Sequence, residues 1–327
     1  MPEKIAERTQ IAISERVFPG CVIGIVRDGH TQIFPFGDLT YDDESPEVNE
    51  NTIYDVASIT KSLPTSSLAL LLISKGKFAL KNLVREYTPE LKNDFGATIE
   101  DLLRYRVRGV QMSKLTEKSP NEILGHIFET GFSEPPGQSQ YTNLPAFLLG
   151  IIIERIERAR LDELAEDHIF SSLGMSRTYY ISPAITNETA PTEIDFSGKI
   201  IHAVPHDESA RIFARAQVAA GHAGLFSTVP DLLSYLGALL SGWYPAVTDG
   251  AKKGLGWQVN EPRFMGVRVS PYSFGKTGFT GTSIVVDLKK GIGLAILSNC
   301  TFPKRPASRD AIDKFRGDIA DIILGDT

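Results

Sequence analysis

Three pairs in this chain have the spacing Ser-x-x-Lys: Ser58 with Lys61, Ser74 with Lys77, and Ser273 with Lys276. A serine and a lysine so placed can form a nucleophile and its proton acceptor, the requirement of acyl transfer through a covalent intermediate. Roughly one such pair is expected by chance in a chain of this composition, so context has to select among them. Ser74 and Lys77 flank Gly76 at the end of an apolar stretch and read as a solvated helix terminus. Ser273 follows Pro271-Tyr272, with no helix to align it with Lys276. Only Ser58-Ile59-Thr60-Lys61 opens a long apolar segment, Leu63 and Leu68 to Ile73, with Asp55 just upstream. On a helix, residues three apart share a face, so Lys61 can reach the Ser58 hydroxyl. First-turn amides could hold an oxyanion, and burial would push the lysine toward its neutral, proton-accepting form. Pro64 is expected to kink this helix just past Lys61.

Other chemistries fail on the same inspection. Gly275-Lys276-Thr277 is the tail of a phosphate-binding loop, but Ser270 stands where the leading glycine belongs, and the text after it reads as a strand. His202 and His206 are four apart, yet Pro205 breaks the helix that would align them on a metal. Neither His-Glu-x-x-His nor Gly-x-Ser-x-Gly occurs.

Two further groups of residues reinforce Ser58. Tyr141-Thr142-Asn143 follows the turn Glu134-Pro135-Pro136-Gly137 and leads into a helix, and Lys276-Thr277-Gly278 precedes a strand. With these in order after Ser-x-x-Lys, the sequence resembles the serine β-lactamase and penicillin-binding protein superfamily, in its class C and esterase branch. Asp55-Val56-Ala57, Ile169 to Met175, Gly221 to Thr228 and Gly278 to Thr282 extend the resemblance over about residues 18 to 305. It implies an acyl-enzyme on Ser58, activated by Lys61. Tyr141 would serve as general base or acid, its phenol acidified by the lysines. Which of Lys61 and Tyr141 takes the first proton is left open. It further implies that Asn143 orients the substrate or Lys61, that Lys276 supplies positive charge, and that Thr277 contacts a substrate carboxylate. The amides of Ser58 and Phe279 would form the oxyanion hole, and Lys304 and Arg305 would be carboxylate-binding candidates. No cofactor is required, and His206 and His222 are read as structural.

The sequence also departs from its relatives. Many esterase-branch members carry histidine where Lys276 stands, although Gly-His-Ala-Gly-Leu-Phe-Ser is closer to that branch. Where relatives often read Leu-Leu-Thr-His-Thr-Ser-Gly, this chain has Leu102-Leu103-Arg104-Tyr105-Arg106-Val107-Arg108-Gly109. If that stretch is extended, its arginines share one face, which is either a basic rim favouring an anionic substrate or a solvated charged surface. The expected activity is hydrolysis of small esters or amides. D-amino-acid peptidase or acyltransferase activity is the alternative, and a penicillin-binding sensor without turnover is a reading of another class.

The elements that must position these residues follow from patterning. Isoleucines spaced among charges predict a helix over 3–17, and Asp28-Gly29 marks a hairpin between β-rich runs. The middle, about 58 to 240, is mainly helical, with a capping box at Ser119-Pro120-Asn121-Glu122 and a helix start at Thr228. Strands are expected at Gly254 to Val259, Gly281 to Leu288 and Gly291 to Ser298, then a helix from about Asp310 to Leu324. This is an α+β pattern: an antiparallel sheet flanked by terminal helices, with an inserted helical region resembling the β-lactamase/transpeptidase fold. The expected division is a discontinuous sheet domain, 1–60 and 200–327, and a helical insertion, 61–199, with the active site between them.

Composition excludes the remaining classes. The 327 residues are 42% apolar and 23% charged, ordinary values for a globular chain. A net charge of −6 disfavours nucleic acid, leaving a small-molecule substrate as the expected partner. Cys21 and Cys300 read as buried free thiols. No apolar stretch is long enough for a bilayer, and the acidic N-terminus does not resemble a secretory signal. A cytoplasmic protein is expected, or a periplasmic or secreted one if a leader has been removed.

Overall fold

The computed structural model describes residues 1–116, 118–180 and 188–325. Helix α1 (Pro2–Ser14) leads into strands β1 (Gly20–Arg27) and β2 (His30–Gly37), joined at Asp28 and Gly29. Both turn residues have positive φ, 51° and 77°, which matches the right-handed twist of the paired strands. The chain returns to the sheet late, with β3 (Gln258–Val259), β4 (Phe274–Thr277), β5 (Ser283–Asp287) and β6 (Ile292–Ser298). The six-stranded order is β2-β1-β6-β5-β4-β3, antiparallel throughout. The α+β architecture with its antiparallel sheet is therefore as the sequence indicates.

Alternation along β1 explains the layering. Cys21, Ile23 and Ile25 face one side, where α1 and a C-terminal helix (Asp310–Gly325) bury Ile5, Ala12, Phe315 and Ile319 against them. Val22 and Val26 face the other side and join the larger core, under the helix Val229–Leu240. Gly24 permits that docking, because a Cβ there would lie 2.2 Å from Val229 Cγ1. Both cysteines are buried and free.

Three differences from the sequence expectation bear on the site. The strand expected over Gly254 to Val259 is only two residues long, because Gly254 and Gly256 take positive φ. Phe274–Thr277, where no strand was expected, is strand β4, so Lys276 is held by sheet pairing to Ile284. The helix opening at Ser58 is also broken. A 3₁₀ turn spans Ala57–Lys61, a wide turn spans Ser62–Ser66, and α2 (Ser67–Ser74) follows. Leu63 has non-helical dihedrals (φ −117°, ψ 110°), the kink that Pro64 predicts.

Further helices include α3 (Leu144–Glu157), α4 (Glu208–Arg215), α5 (Val229–Leu240) and α6 (Asp310–Gly325). The capping box at Ser119 forms, and Thr228 caps α5 by accepting from the Asp231 amide. The segment Leu161 to Leu173 breaks into short pieces, Leu161–Ala165, Glu166–Phe170 and Ser171–Leu173. Among the described residues, no helix is long and apolar enough to cross a membrane.

Candidate active site

Ser58 sits on a backbone held from behind. Ala57 takes a left-handed conformation (φ 48°), unusual for a residue with a side chain. Buried Asp55 sustains it, accepting from the Ala57 amide at 2.8 Å and from the His206 amide at 2.6 Å. Burial raises the Asp55 carboxyl to about 6, partly offset by those two amides. Thr280 and Thr282, in the loop between β4 and β5, donate to the carbonyls of Asp55 and Val56. The Ser58 turn and that loop are therefore fastened to each other by two side-chain bonds.

Lys61 lies one turn on, wholly buried, and its Nζ donates to Ser58 Oγ at 2.7 Å and to the His222 carbonyl at 2.8 Å. Burial lowers its pKa from 10.5 to about 7, with the carboxylate of Asp207 acting in the opposite sense. Tyr141 lies beside this pair, its ring centre 5.2 Å from Lys61 Nζ and its phenol close enough to Ser58 to interact with it electrostatically. The ring is 52% exposed, yet its hydroxyl end is enclosed. That enclosure pushes the phenol well above its ordinary value; the neighbouring Ser58 works against the rise and Asp207 adds to it. The expectation of a phenol acidified by two lysines is therefore reversed, because both lysines are themselves driven toward neutrality by burial.

Lys276 is buried in β4 between two aromatic faces, 4.7 Å from the Tyr105 ring centre and 4.6 Å from that of Tyr141. It donates to the Tyr105 hydroxyl at 3.2 Å. Burial and the neighbouring Lys61 lower its pKa well below the usual lysine range. Thr277, half-buried, shares with Lys276, Tyr105, Tyr141 and Trp257 a cleft of about 520 Å³.

Asn143 turns its Nδ2 to Asp207, at 3.0 Å. Asp207, at the start of α4, also accepts from Ser209 and the Ala210 amide and lies 3.2 Å from His222 Nε2. Burial alone would raise its carboxyl, but His222 and these donors outweigh it and hold the group well below the usual range. His206 stacks on Phe279 with ring centres 5.7 Å apart. Burial, with Arg305 and Arg211 nearby, lowers its pKa to about 3 and keeps it neutral.

The structure thus brings Ser58, Lys61, Tyr141 and Lys276 together, with Asn143, Thr277 and Phe279 around them. Arg305 is tied to Glu193 at 2.9 Å and to Glu208 at 2.5 Å, its guanidinium 5.8 Å from the Phe279 ring centre. Lys304 is exposed, and both border a separate cleft of about 760 Å³ with Glu193 and Phe196. The basic rim does not form. Tyr105 has φ 54°, which breaks the extended run, and Arg104, Arg106 and Arg108 pair with Glu100, Asp101 and Glu134.

Sequence reasoning missed Tyr105, Asp207 and Arg316. Tyr105 lies inside a stretch whose arginines dominate, and only the packed structure shows it to be buried. Arg316 lies on α6, and nothing local marks it as facing the loop after β4.

Comparison with known proteins identifies the family and the fold. The Beta-lactamase family profile matches residues 3–317. A protein of Salmonella agona (strain SL483), described as a putative D-alanyl-D-alanine carboxypeptidase, is 31% identical over 304 positions, covering 76% of this chain and 69% of that one. Among solved structures, the octameric penicillin-binding protein homologue from Pyrococcus abyssi superposes with a TM-score of 0.78 at 20% identity, covering 99% of this chain and 77% of the other. EstCE1, a hydrolase with promiscuous acyltransferase activity, gives 0.78 at 17% identity over 99% and 98% of the two chains. The profile match begins inside α1 and ends inside α6, taking in the whole sheet and every segment that reaches the cleft, and the chain belongs to the Beta-lactamase family of serine hydrolases.

Proposed function

We propose that Ser58 is the acylated nucleophile and Lys61 the base that first takes its proton. The observation that carries this reading is the 2.7 Å contact between Ser58 Oγ and a fully buried lysine whose pKa lies near 7. The neutral amine accepts the Oγ proton as Oγ attacks the acyl carbon, and the carbonyl electrons move onto oxygen. The amides of Ser58 and Phe279 receive that oxyanion. Tyr141, un-ionised at neutral pH, relays the proton from Lys61 to the departing alkoxide or amine. In the second half, water loses a proton along the same path, attacks the acyl-enzyme and restores Ser58. Lys276, held between Tyr105 and Tyr141, packs against the Tyr141 ring and adds a charge when protonated. Asn143 and Thr277 contact the substrate at either side.

The substrates we propose are small esters or amides, turned over by hydrolysis. The relative described as a D-alanyl-D-alanine carboxypeptidase favours a second reading, cleavage of a D-alanyl peptide bond by the same steps. The parent and Ser58→Ala should be compared on p-nitrophenyl acetate, a chromogenic cephalosporin and an acyl-D-alanyl-D-alanine peptide, with the intact mass followed. The expected result is turnover, and a transient acyl adduct, in the parent alone. Release of D-alanine would select the peptidase reading, and a stable adduct without turnover would select a sensor. Turnover that survives in Ser58→Ala would remove Ser58 from the chemistry.

A further inference from the structure

The loop that carries Phe279 is gripped from the side of α6 by an arginine with no part in the steps above. Arg316 is 1% exposed, and its Nη2 donates to the carbonyl of Gly278 at 2.9 Å and to that of Thr282 at 2.7 Å. Its Nη1 donates to Asp313 at 2.7 Å. Arg309, one residue before α6, adds a longer bond to the same Gly278 carbonyl at 3.4 Å. A guanidinium buried at this depth is costly unless its donors are used; its Nε is unpartnered, but Nη1 and Nη2 make three bonds, two of them to one five-residue loop.

The consequence follows from the planarity of the peptide unit. In a trans peptide the carbonyl of one residue and the N–H of the next point in opposite directions. A Gly278 carbonyl drawn toward α6 therefore turns the Phe279 N–H away from α6. On its other side the loop is fastened to the nucleophile turn, by Thr280 to the Asp55 carbonyl at 2.7 Å and by Thr282 to the Val56 carbonyl at 3.1 Å. Gly278 packs closely on that turn: a Cβ there would lie 2.3 Å from the Val56 oxygen. A cation on the carbonyl also polarises the amide and strengthens its N–H as a donor.

We propose that Arg316 is a positioning residue for the oxyanion hole, which aims and polarises the Phe279 amide by holding the Gly278 carbonyl. This rests on the reading that the Ser58 and Phe279 amides receive the oxyanion. Arg316 touches neither substrate nor Ser58, and its effect appears in the transition state rather than in substrate binding.

Arg316→Lys keeps the charge but loses the fork, and Arg316→Met with Asp313→Leu removes both partners, so that no carboxylate is left buried alone. Each is assayed on p-nitrophenyl acetate for kcat and KM, and with phenylboronic acid, whose tetrahedral adduct on Ser58 places an oxygen in the same hole. We expect the double variant to lose about 10- to 100-fold in kcat, part of the ~10²–10³ that a lost oxyanion donor costs, with KM nearly unchanged. The affinity for phenylboronic acid should weaken by a similar factor, and Arg316→Lys should fall between parent and double variant. A folded double variant with kcat within twofold of the parent would overturn the proposal. So would a fall in kcat with phenylboronic acid bound as tightly as before. If p-nitrophenyl acetate turnover survives in Ser58→Ala, the underlying reading fails instead, whatever Arg316 does.

Discussion

Lowering the pH should switch off acylation through Lys61. Its amine must be neutral to accept the Ser58 proton, and its pKa falls from 10.5 to about 7 because it is buried. At pH 7 about half of the molecules then carry the neutral amine, against roughly three in ten thousand for an ordinary lysine, a gain of about 1,500-fold in active base. The groups facing Lys61 are Ser58, the phenol of Tyr141, Lys276 and the carboxylate of Asp207, which works against the lowering. With p-nitrophenyl acetate, kcat/KM should be flat above about pH 8 and fall close to tenfold per unit below about pH 6. Asp207→Asn removes the opposing charge and should move that limb to lower pH. The stability linkage has a definite sign. A folded pKa below the unfolded one means that the unfolded chain binds the proton more readily between about 7 and 10.5. The cost is therefore complete below pH 7 and disappears above pH 10.5, and three and a half units correspond to about 5 kcal/mol. Lys61→Met should abolish acylation yet gain a few kcal/mol at pH 7, after about 1–3 kcal/mol is lost at the His222 carbonyl. Urea melts at pH 7 and 9 check this, since the gain should shrink at the higher pH. A kcat/KM profile without an inflection within about one unit of pH 7, or a Lys61→Met variant less stable than the parent, would refute the assignment of Lys61 as the buried base.

Two further outcomes are expected. Gly278→Ala would place a methyl 2.1 Å from Thr282 Oγ1 and 2.3 Å from the Val56 carbonyl, parting the loop from the nucleophile turn. It should lose ~10²-fold in kcat with KM retained, measured on p-nitrophenyl acetate. Tyr105→Phe removes the hydroxyl that accepts from buried Lys276 and should lower kcat/KM by about 3- to 10-fold, the value of a hydrogen bond between neutral groups. Activity within twofold of the parent would separate Tyr105 from the chemistry.

What could be read from the chain depended on how local the signal was. Ser58 and Lys61 are three residues apart, and context alone selected them from three candidate pairs. The hairpin at Asp28-Gly29 and the caps at Ser119 and Thr228 are equally local, and all three form. Tyr105 meets Lys276 across 171 positions, and Asn143 meets Asp207 across 64, so periodicity and turn chemistry carry no trace of either contact. The phenol of Tyr141 was misjudged because its pKa is set by enclosure, a property of the packed cleft. The arginine rim failed for a related reason: a single left-handed residue, Tyr105, scatters side chains that an extended strand would have aligned.

The sheet has a consequence for the order of events in folding. Its central pairing joins β1, made at the start of the chain, to β6, which ends at Ser298. A nascent chain therefore carries an unpaired apolar β1 edge through the synthesis of more than two hundred intervening residues. Such distant pairing slows folding and leaves that edge open to wrong partners meanwhile. The Ser58 turn can form early, but the Phe279 loop and its Arg316 brace are added last. Competence for acylation is then among the final properties the molecule acquires, and active-site titration during refolding should lag behind the recovery of helix.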